Sequence, residues 1–167
     1  MRPELTPEQF LEVVDRTPLV SIDFIVRDRQ RRLLLGLRVN DPARGFWFVP
    51  GGRIRKGESL DEAFARISGN ELGVELPRTR ARLLGLFTHL YDTNFADAPQ
   101  IDTHYVVLAY EVNVELELIS LPRKQHSEYQ WWALSDAEKS KAVHPHNLPY
   151  FKSEDGLPFK SDVWIAQ

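Results

Sequence analysis

Glu58, Arg66 and Glu71 are the charged residues whose types and spacing most invite a chemical reading. They lie in residues 52–74, GRIRKGESLDEAFARISGNELGV, where five residues separate Gly52 from Glu58 and seven separate Glu58 from Arg66. Ser59, with Glu62 three positions on, forms a capping box in which each side chain satisfies a free amide of the first turn, so a helix is expected to start there. Leu60, Ala63, Phe64 and Ile67 recur at helical spacing and predict one buried face, with Asp61, Glu62, Ala65 and Arg66 on the other sides. Gly73 supplies a left-handed stop. At about 100° per residue, Glu71 falls nearly back over Leu60 and Ile67, on the inward side. A carboxylate that ends an apolar stripe needs a partner, either an arginine or a metal ion, because buried charge is costly alone. Glu58 sits just before the cap, placed to pair with Arg66 and brace the loop, and Glu62 reads as a cap only. Gly69 costs roughly 1 kcal/mol against alanine inside a helix, and the sequence offers no reason for it.

The elements that must hold these residues are legible from periodicity. Thr6-Pro7 opens a short helix through Val14, with threonine as cap and proline at the first helical position, and Pro18 closes it. Residues 19–27 alternate Val20, Ile22, Phe24 and Val26 against Ser21 and Asp23, which is strand spacing. A turn at residues 28–30 leads to a second strand over 31–38, and an aromatic strand over 45–49 delivers Pro50-Gly51-Gly52 to the helix. Apolar segments 81–91 and 104–114 flank a polar loop, and residues 128–134 read as a last strand. Ser135-Asp136-Ala137-Glu138 repeats the capping-box pattern and predicts another short helix. Strands before and after a central helix fit an α/β/α sandwich with a central mixed sheet.

At 167 residues, 43% hydrophobic and 27% charged, the chain is expected to form a single domain over 1–167 with a substantial core. The absence of cysteine excludes disulfides, thiolate zinc sites and thiol nucleophiles together. A net charge of −3 gives no general basic surface for nucleic acid. No segment approaches the ~18 continuous apolar residues of a membrane span, and residues 1–10 carry no apolar run of signal-peptide length, so a soluble cytoplasmic protein is the expectation.

The spacing of residues 52–74 resembles the Nudix box, the loop-helix-loop signature of enzymes acting on nucleoside diphosphates linked to another group. Where a usual box has Arg-Glu at its centre and two adjacent glutamates near its end, this one has Arg66-Ile67 and Asn70-Glu71. One divalent ion is the natural inference from so few carboxylates. The runs TPLVSIDFIVRD, GLRVNDPARGFWFVPGGRI, HLYDTNF, THYVVLAYEV and LPRKQHSEYQWW extend the likeness, to about residue 151, to the GDP-mannose mannosyl hydrolases, a divergent branch of that superfamily. The resemblance implies the Nudix fold, a homodimer, and hydrolysis of GDP-mannose or GDP-glucose to GDP and free sugar by attack at the sugar carbon. Two departures stand out: the loop 94–102 is slightly longer than the family pattern, and Lys124 stands where an acidic residue is expected. The tail 153–167 has no argued role.

The resemblance also implies residue roles. Glu71, Gln125 and the backbone carbonyl of Gly51 correspond to metal ligands, an oxygen-rich shell suited to one Mg2+, for which Mn2+ can substitute. His126 corresponds to the base that deprotonates the attacking water on the face opposite the leaving group, as in inverting glycoside hydrolysis. A histidine base predicts a rate that rises with pH through one ionisation near neutrality. Arg38 and Arg53 would bring fixed positive charge to the diphosphate. Asp23, a carboxylate in an otherwise apolar strand, either pairs with an arginine or touches the sugar, and the resemblance favours the active site. His89 and Tyr105 either pack in the core or orient the substrate, whereas His104, His144 and His146 read as structural. Two rival readings stand beside this one: a pyrophosphatase cutting between phosphates, and a silent binding module.

Overall fold

A computed structural model describes residues 5–152; the tail 153–167 lies outside the described residues. Seven strands form one mixed sheet: β1 (Leu19–Arg27), β2 (Leu33–Arg38), β3 (Trp47–Phe48), β4 (Gly51–Arg53), β5 (Arg82–Tyr91), β6 (Thr103–Asn113) and β7 (His126–Trp132). Helices α1 (Pro7–Arg16), α2 (Leu60–Leu72), α3 (Leu134–Lys139) and α4 (Leu148–Phe151) pack around it. The order is β3-β2-β1-β6-β5, with β4 beside β1 and β7 beside β2. Among the paired strands of the described residues, β1 and β6 alone run parallel; they pair along the whole of β1 from Leu19↔Tyr105 to Arg27↔Asn113.

Both faces of the sheet are covered, which is why β1 is buried almost throughout instead of alternating. Ile22, Phe24 and Val26 point to one face and meet Phe64, Ile67 and Leu72 of α2 together with Tyr110 and Val112 of β6. Ile25, Leu33, Leu35, Val107 and Ala109 point to the other and meet Ala137 of α3, Val143, and Tyr150 and Phe151 of α4. Phe64 anchors the first layer, edge-on to Phe24 at 4.9 Å and Tyr110 at 5.2 Å between ring centroids. An α/β/α sandwich results.

Helix α2 begins as its capping box requires: Ser59 Oγ accepts from the Glu62 amide, and the Glu62 carboxylate accepts from the Ser59 amide. Gly73 ends it in the left-handed conformation, at φ 74°. A Cβ at Gly69 would lie 3.0 Å from Glu75 Cγ, on an exposed side chain with room to move aside, and nothing else in the structure explains the glycine. Leu60, expected on the buried face, is 40% exposed; its neighbours Asp61 and Glu62 are exposed too, and burial of α2 starts at Ala63.

Other boundaries differ for local reasons. Arg31 adopts φ 61°, so the turn absorbs it and β2 starts at Leu33. The aromatic strand shrinks to Trp47–Phe48 because Gly45, at φ 80°, closes a turn on Arg38. Ser135 does not cap α3: the Ala137 amide donates to the Ala133 carbonyl, so Ala133 is the cap and Ser135 lies inside the first turn. Strand β7 begins two residues before the expected Glu128 and ends at Trp132.

The sheet splays between β1 and β2, and that positions the site. These strands pair only at Arg27↔Leu33; further along, β4 takes the place beside β1, from Ser21↔Arg53 to Asp23↔Gly51. Strand β2 diverges with β7, which follows it to Arg38↔His126. The gap between the β1–β4 branch and the β2–β7 branch is the cleft.

Candidate active site

Strand alternation sends Ser21 and Asp23 of β1, Tyr105 of β6, and His89 and Tyr91 of β5 to the sheet face opposite α2, with His89 directly across from Tyr105. Arg38 from the end of β2, Gln125 from the start of β7, and Gly51 and Arg53 from β4 close the other side. Together they line a cavity of about 530 Å3, within the usual range for a small-molecule site. Seven of the nine residues singled out in the sequence therefore share one cavity: Asp23, Arg38, Gly51, Arg53, His89, Tyr105 and Gln125. Glu71 reaches a second cavity, reached also by Arg53 and Gln125 and flanked by Arg55, Arg66 and Lys124. His126 lines neither.

Asp23 is buried, and its environment is built around it. Tyr150 Oη donates to Asp23 Oδ2 at 2.7 Å and lies 3.0 Å from His89 Nε2. Burial pushes the Asp23 carboxyl up to about 7, opposed by the Tyr150 hydrogen bond and the charge of Arg38. Gly51 is a glycine for a steric reason: a Cβ there would lie 2.5 Å from Asp23 Oδ1 and 2.7 Å from the Ile22 carbonyl oxygen. His89 stacks on His146 with ring centroids 4.4 Å apart and planes 6° from parallel, and burial pulls it down to about 3. His144 and His146, expected to be structural, form this wall.

A second chain of polar contacts crosses the cleft. Arg38 Nη1 donates to Gln125 Oε1 at 2.8 Å, and Gln125 Nε2 donates to Glu71 Oε1 at 2.6 Å. The cation on one side and the carboxylate on the other fix which way the amide faces. Glu71 is 6% exposed, on the inward side as the helical spacing required, and burial pushes its carboxyl up to about 7 against the charges of Arg38 and Lys124 and the Gln125 hydrogen bond.

His126 differs from its expectation. Its ring is wholly buried beneath Glu71, with Nδ1 3.9 Å from Glu71 Oε2. The Tyr129 hydroxyl donates to the Pro122 carbonyl at 2.7 Å, so its 3.2 Å contact with His126 Nδ1 requires Nδ1 to be the donor. His126 Nε2 is left bare and without a hydrogen-bond partner among the described residues. Burial, with the nearby charge of Arg38, pulls the ring down to about 3. In the metal-free protein Asp23 and Glu71, rather than His126, are the cleft groups brought to about 7.

Glu58 braces the loop as expected. Arg66 Nε and Nη2 both donate to it, the latter at 2.8 Å, and Arg66 Nη2 also donates to the Arg53 carbonyl at 3.0 Å. This clamp ties α2 to the strand carrying Arg53, whose guanidinium lies 4.4 Å above the Phe10 ring of α1. Phe10, Tyr91, Phe95 and Tyr150 were not singled out in the sequence. Tyr91 had a signal, two residues beyond His89 on the same strand face; Tyr150, 127 residues from Asp23, had none.

Glu71 makes no hydrogen bond to a cationic side chain among the described residues, and Arg38, whose charge acts on it, is engaged by Gln125. Such a carboxylate, held by an amide beside a cavity, fits a hard divalent cation, which favours oxygen donors. No cluster of three His, Cys, Asp or Glu suited to a metal occurs among the described residues, so backbone carbonyl oxygen is what could join Glu71 as the structure stands; Gln125 Oε1, turned to Arg38, would join only after its amide rotates to bring oxygen in place of Nε2.

The NUDIX domain family matches residues 17–152, and the chain belongs to that family of hydrolases. Nudix hydrolases act on small nucleotide derivatives and generally use divalent metals such as Mg2+. The low-salt glycan biosynthesis protein Agl8 of Haloferax volcanii is 41% identical over 122 residues, 72% of this chain and 74% of that protein. The ADP-ribose pyrophosphatase of Methanocaldococcus jannaschii is 34% identical over 71 residues, 42% of this chain and 40% of that protein. Among solved structures, the MutT protein of Methanosarcina mazei Go1 superposes with a TM-score of 0.66 over 84% of this chain and 95% of that one at 20% identity, which establishes the fold. No helix among the described residues is long and apolar enough to cross a membrane.

Proposed function

We propose that this Nudix hydrolase cleaves a nucleoside diphosphate sugar, GDP-mannose or GDP-glucose, to GDP and free sugar, with water attacking the anomeric carbon and inverting it. The observation that carries the reading is the single carboxylate that α2 brings to the cleft: Glu71 reaches the second cavity, while Arg66, Ile67 and Asn70 occupy its other α2 positions. A site that stabilises several metal ions for attack at phosphorus would draw on more acid than that. The 41% likeness to a protein named for glycan biosynthesis supports a sugar-linked substrate.

Arg53, which lines both cavities, and Arg38, which lines the first, would hold the diphosphate. Asp23, His89 and Tyr105, deeper on the sheet, would hold the sugar. Glu71, Gln125 and the Gly51 carbonyl would hold one Mg2+ or Mn2+. When bound, the ion stabilises the negative charge of the departing diphosphate, so the leaving group needs no proton. His126 is the proposed base, since its Nδ1–H is engaged by Tyr129 and the lone pair of Nε2 is free. Its burial makes an opening of residues 122–125 part of the proposal.

Hydrolysis in oxygen-18 water tests the reaction. The label should appear on free sugar, released first as the inverted anomer. Label in GMP or sugar phosphate would reject this reading for pyrophosphatase chemistry, which the basic lining of the second cavity, Arg53, Arg55, Arg66 and Lys124, would equally suit.

A further inference from the structure

Tyr150 is wholly buried on α4, 127 residues from the strand it serves, and its hydroxyl bridges two side chains of the cleft, Asp23 and His89. A hydroxyl carries one proton and accepts with its lone pairs. Above the value of about 7 to which burial raises it, Asp23 is ionised, and at 2.7 Å the proton then goes to Asp23. The 3.0 Å contact to His89 Nε2 is then a hydrogen bond only if Nε2 carries the ring's hydrogen. Burial holds His89 neutral, so the ring has one hydrogen in all, and Nδ1 has none.

The position of Nδ1 follows by elimination. It has no hydrogen-bond partner among the described residues, yet the buried polar side-chain atoms without a partner are His126 Nε2 and Trp132 Nε1. His89 Nδ1 is therefore not wholly enclosed, and the space that His89 lines is the main cavity. The ring cannot turn freely to offer another face, because His146 stacks on it and is itself tied through Nε2 to the Leu90 carbonyl at 3.0 Å.

We propose that Tyr150 is a positioning residue: by donating to Asp23 it obliges His89 to donate from Nε2, so that His89 presents a bare Nδ1 to the cavity as a hydrogen-bond acceptor. An acceptor beside an anionic carboxylate binds hydroxyl groups and repels phosphate oxygens. This end of the cavity therefore takes the polyhydroxyl portion of a substrate, and the choice among sugars is made by a hydroxyl that donates to His89. The inference rests on the nucleotide-sugar reading for the identity of that hydroxyl, and on the protein alone for the state of the ring.

The ring is read directly by long-range proton–nitrogen correlation on the nitrogen-15-labelled, substrate-free protein at pH 8, with His89 assigned from the spectrum of His89→Gln. The wild type should show the Nε2–H tautomer, and Tyr150→Phe should lose it to a mixture. A wild-type ring protonated at Nδ1, or a Tyr150→Phe spectrum unchanged in a variant whose near-ultraviolet circular dichroism is native, overturns the proposal. The second arm uses GDP-mannose with the sugar hydroxyls replaced one at a time by hydrogen. One replacement should lower kcat/KM of the wild type about tenfold or more, because it leaves a buried acceptor unpaired, and should cost Tyr150→Phe less than threefold. Equal losses in both proteins refute the specificity role. If GDP-mannose is not hydrolysed at all, the proposed function fails while the tautomer measurement still decides the role of Tyr150.

Discussion

Replacing Glu71 with glutamine separates charge from shape at the metal position. Glutamine keeps an oxygen for the Gln125 amide, which donates at 2.6 Å, and removes only the ionisable group. In the metal-free protein the Glu71 carboxyl is raised from 4.5 to about 7, chiefly by burial. A raised acid binds its proton more tightly when folded, so its stabilising contribution is complete below about pH 4.5 and is lost as pH climbs through about 7. At about 1.36 kcal/mol per pH unit, the loss by pH 8 is of order 3 kcal/mol. In EDTA, Glu71→Gln should therefore match the wild type near pH 4 and exceed it at pH 8 by up to about 3 kcal/mol, a rise in Tm of roughly 6 °C or more for a domain this size. Adding Mg2+ at pH 8 should reverse the order, raising the wild type and leaving the variant unmoved, and turnover of the variant should fall by orders of magnitude. Urea titrations at the two pH values, with and without Mg2+, measure all of this. Equal stability at pH 8, or equal protection by Mg2+, would refute the assignment of Glu71 as a buried carboxylate awaiting a cation.

Other outcomes follow from the same geometry. His126→Gln should lower kcat by about 10²- to 10⁴-fold with little change in KM, and unaltered turnover in steady-state assays would remove His126 from the reaction. Because Asp23 is brought to about 7 while His126 is pulled to about 3, and a bound cation would keep Glu71 ionised, the rate should rise with pH across about 7 in wild type and His126→Gln alike; loss of that limb in the variant would return the ionisation to the histidine. Phe64→Ala should cost about 3–5 kcal/mol in denaturant titrations, since the ring is fully buried between Phe24 and Tyr110, and a cost below 1 kcal/mol would contradict that packing.

Much of the architecture was legible because it depends on local period. The edges of β1, the capping box of α2, its Gly73 stop and the inward turn of Glu71 all follow from spacing within one element, and the structure reproduces them. The Glu58–Arg66 clamp was legible for the same reason. Boundaries failed where a tertiary turn overrode the pattern, as at Arg31, Gly45 and Ser135. The shared cavity of seven candidate residues could be named only through resemblance, since the splay that creates it is a property of strand pairing and leaves no mark on any one segment. The burial of His126 was invisible too: it depends on the bulge beside Gly36, where a Cβ would lie 2.5 Å from the imidazole.

The span between Asp23 and Tyr150 also bears on how the molecule is made. Synthesis runs from the amino terminus, so β1, α2 and the β5–β6 hairpin can assemble while the residues that complete the cleft are still inside the ribosome. Until residue 150 emerges, the Asp23 carboxylate faces the forming core without its hydroxyl donor, and His89 without its wall of His146. Competence for binding is thus acquired only after most of the sheet has been made, and an intermediate stalled short of α4 would carry most of the sheet but a cleft open to water.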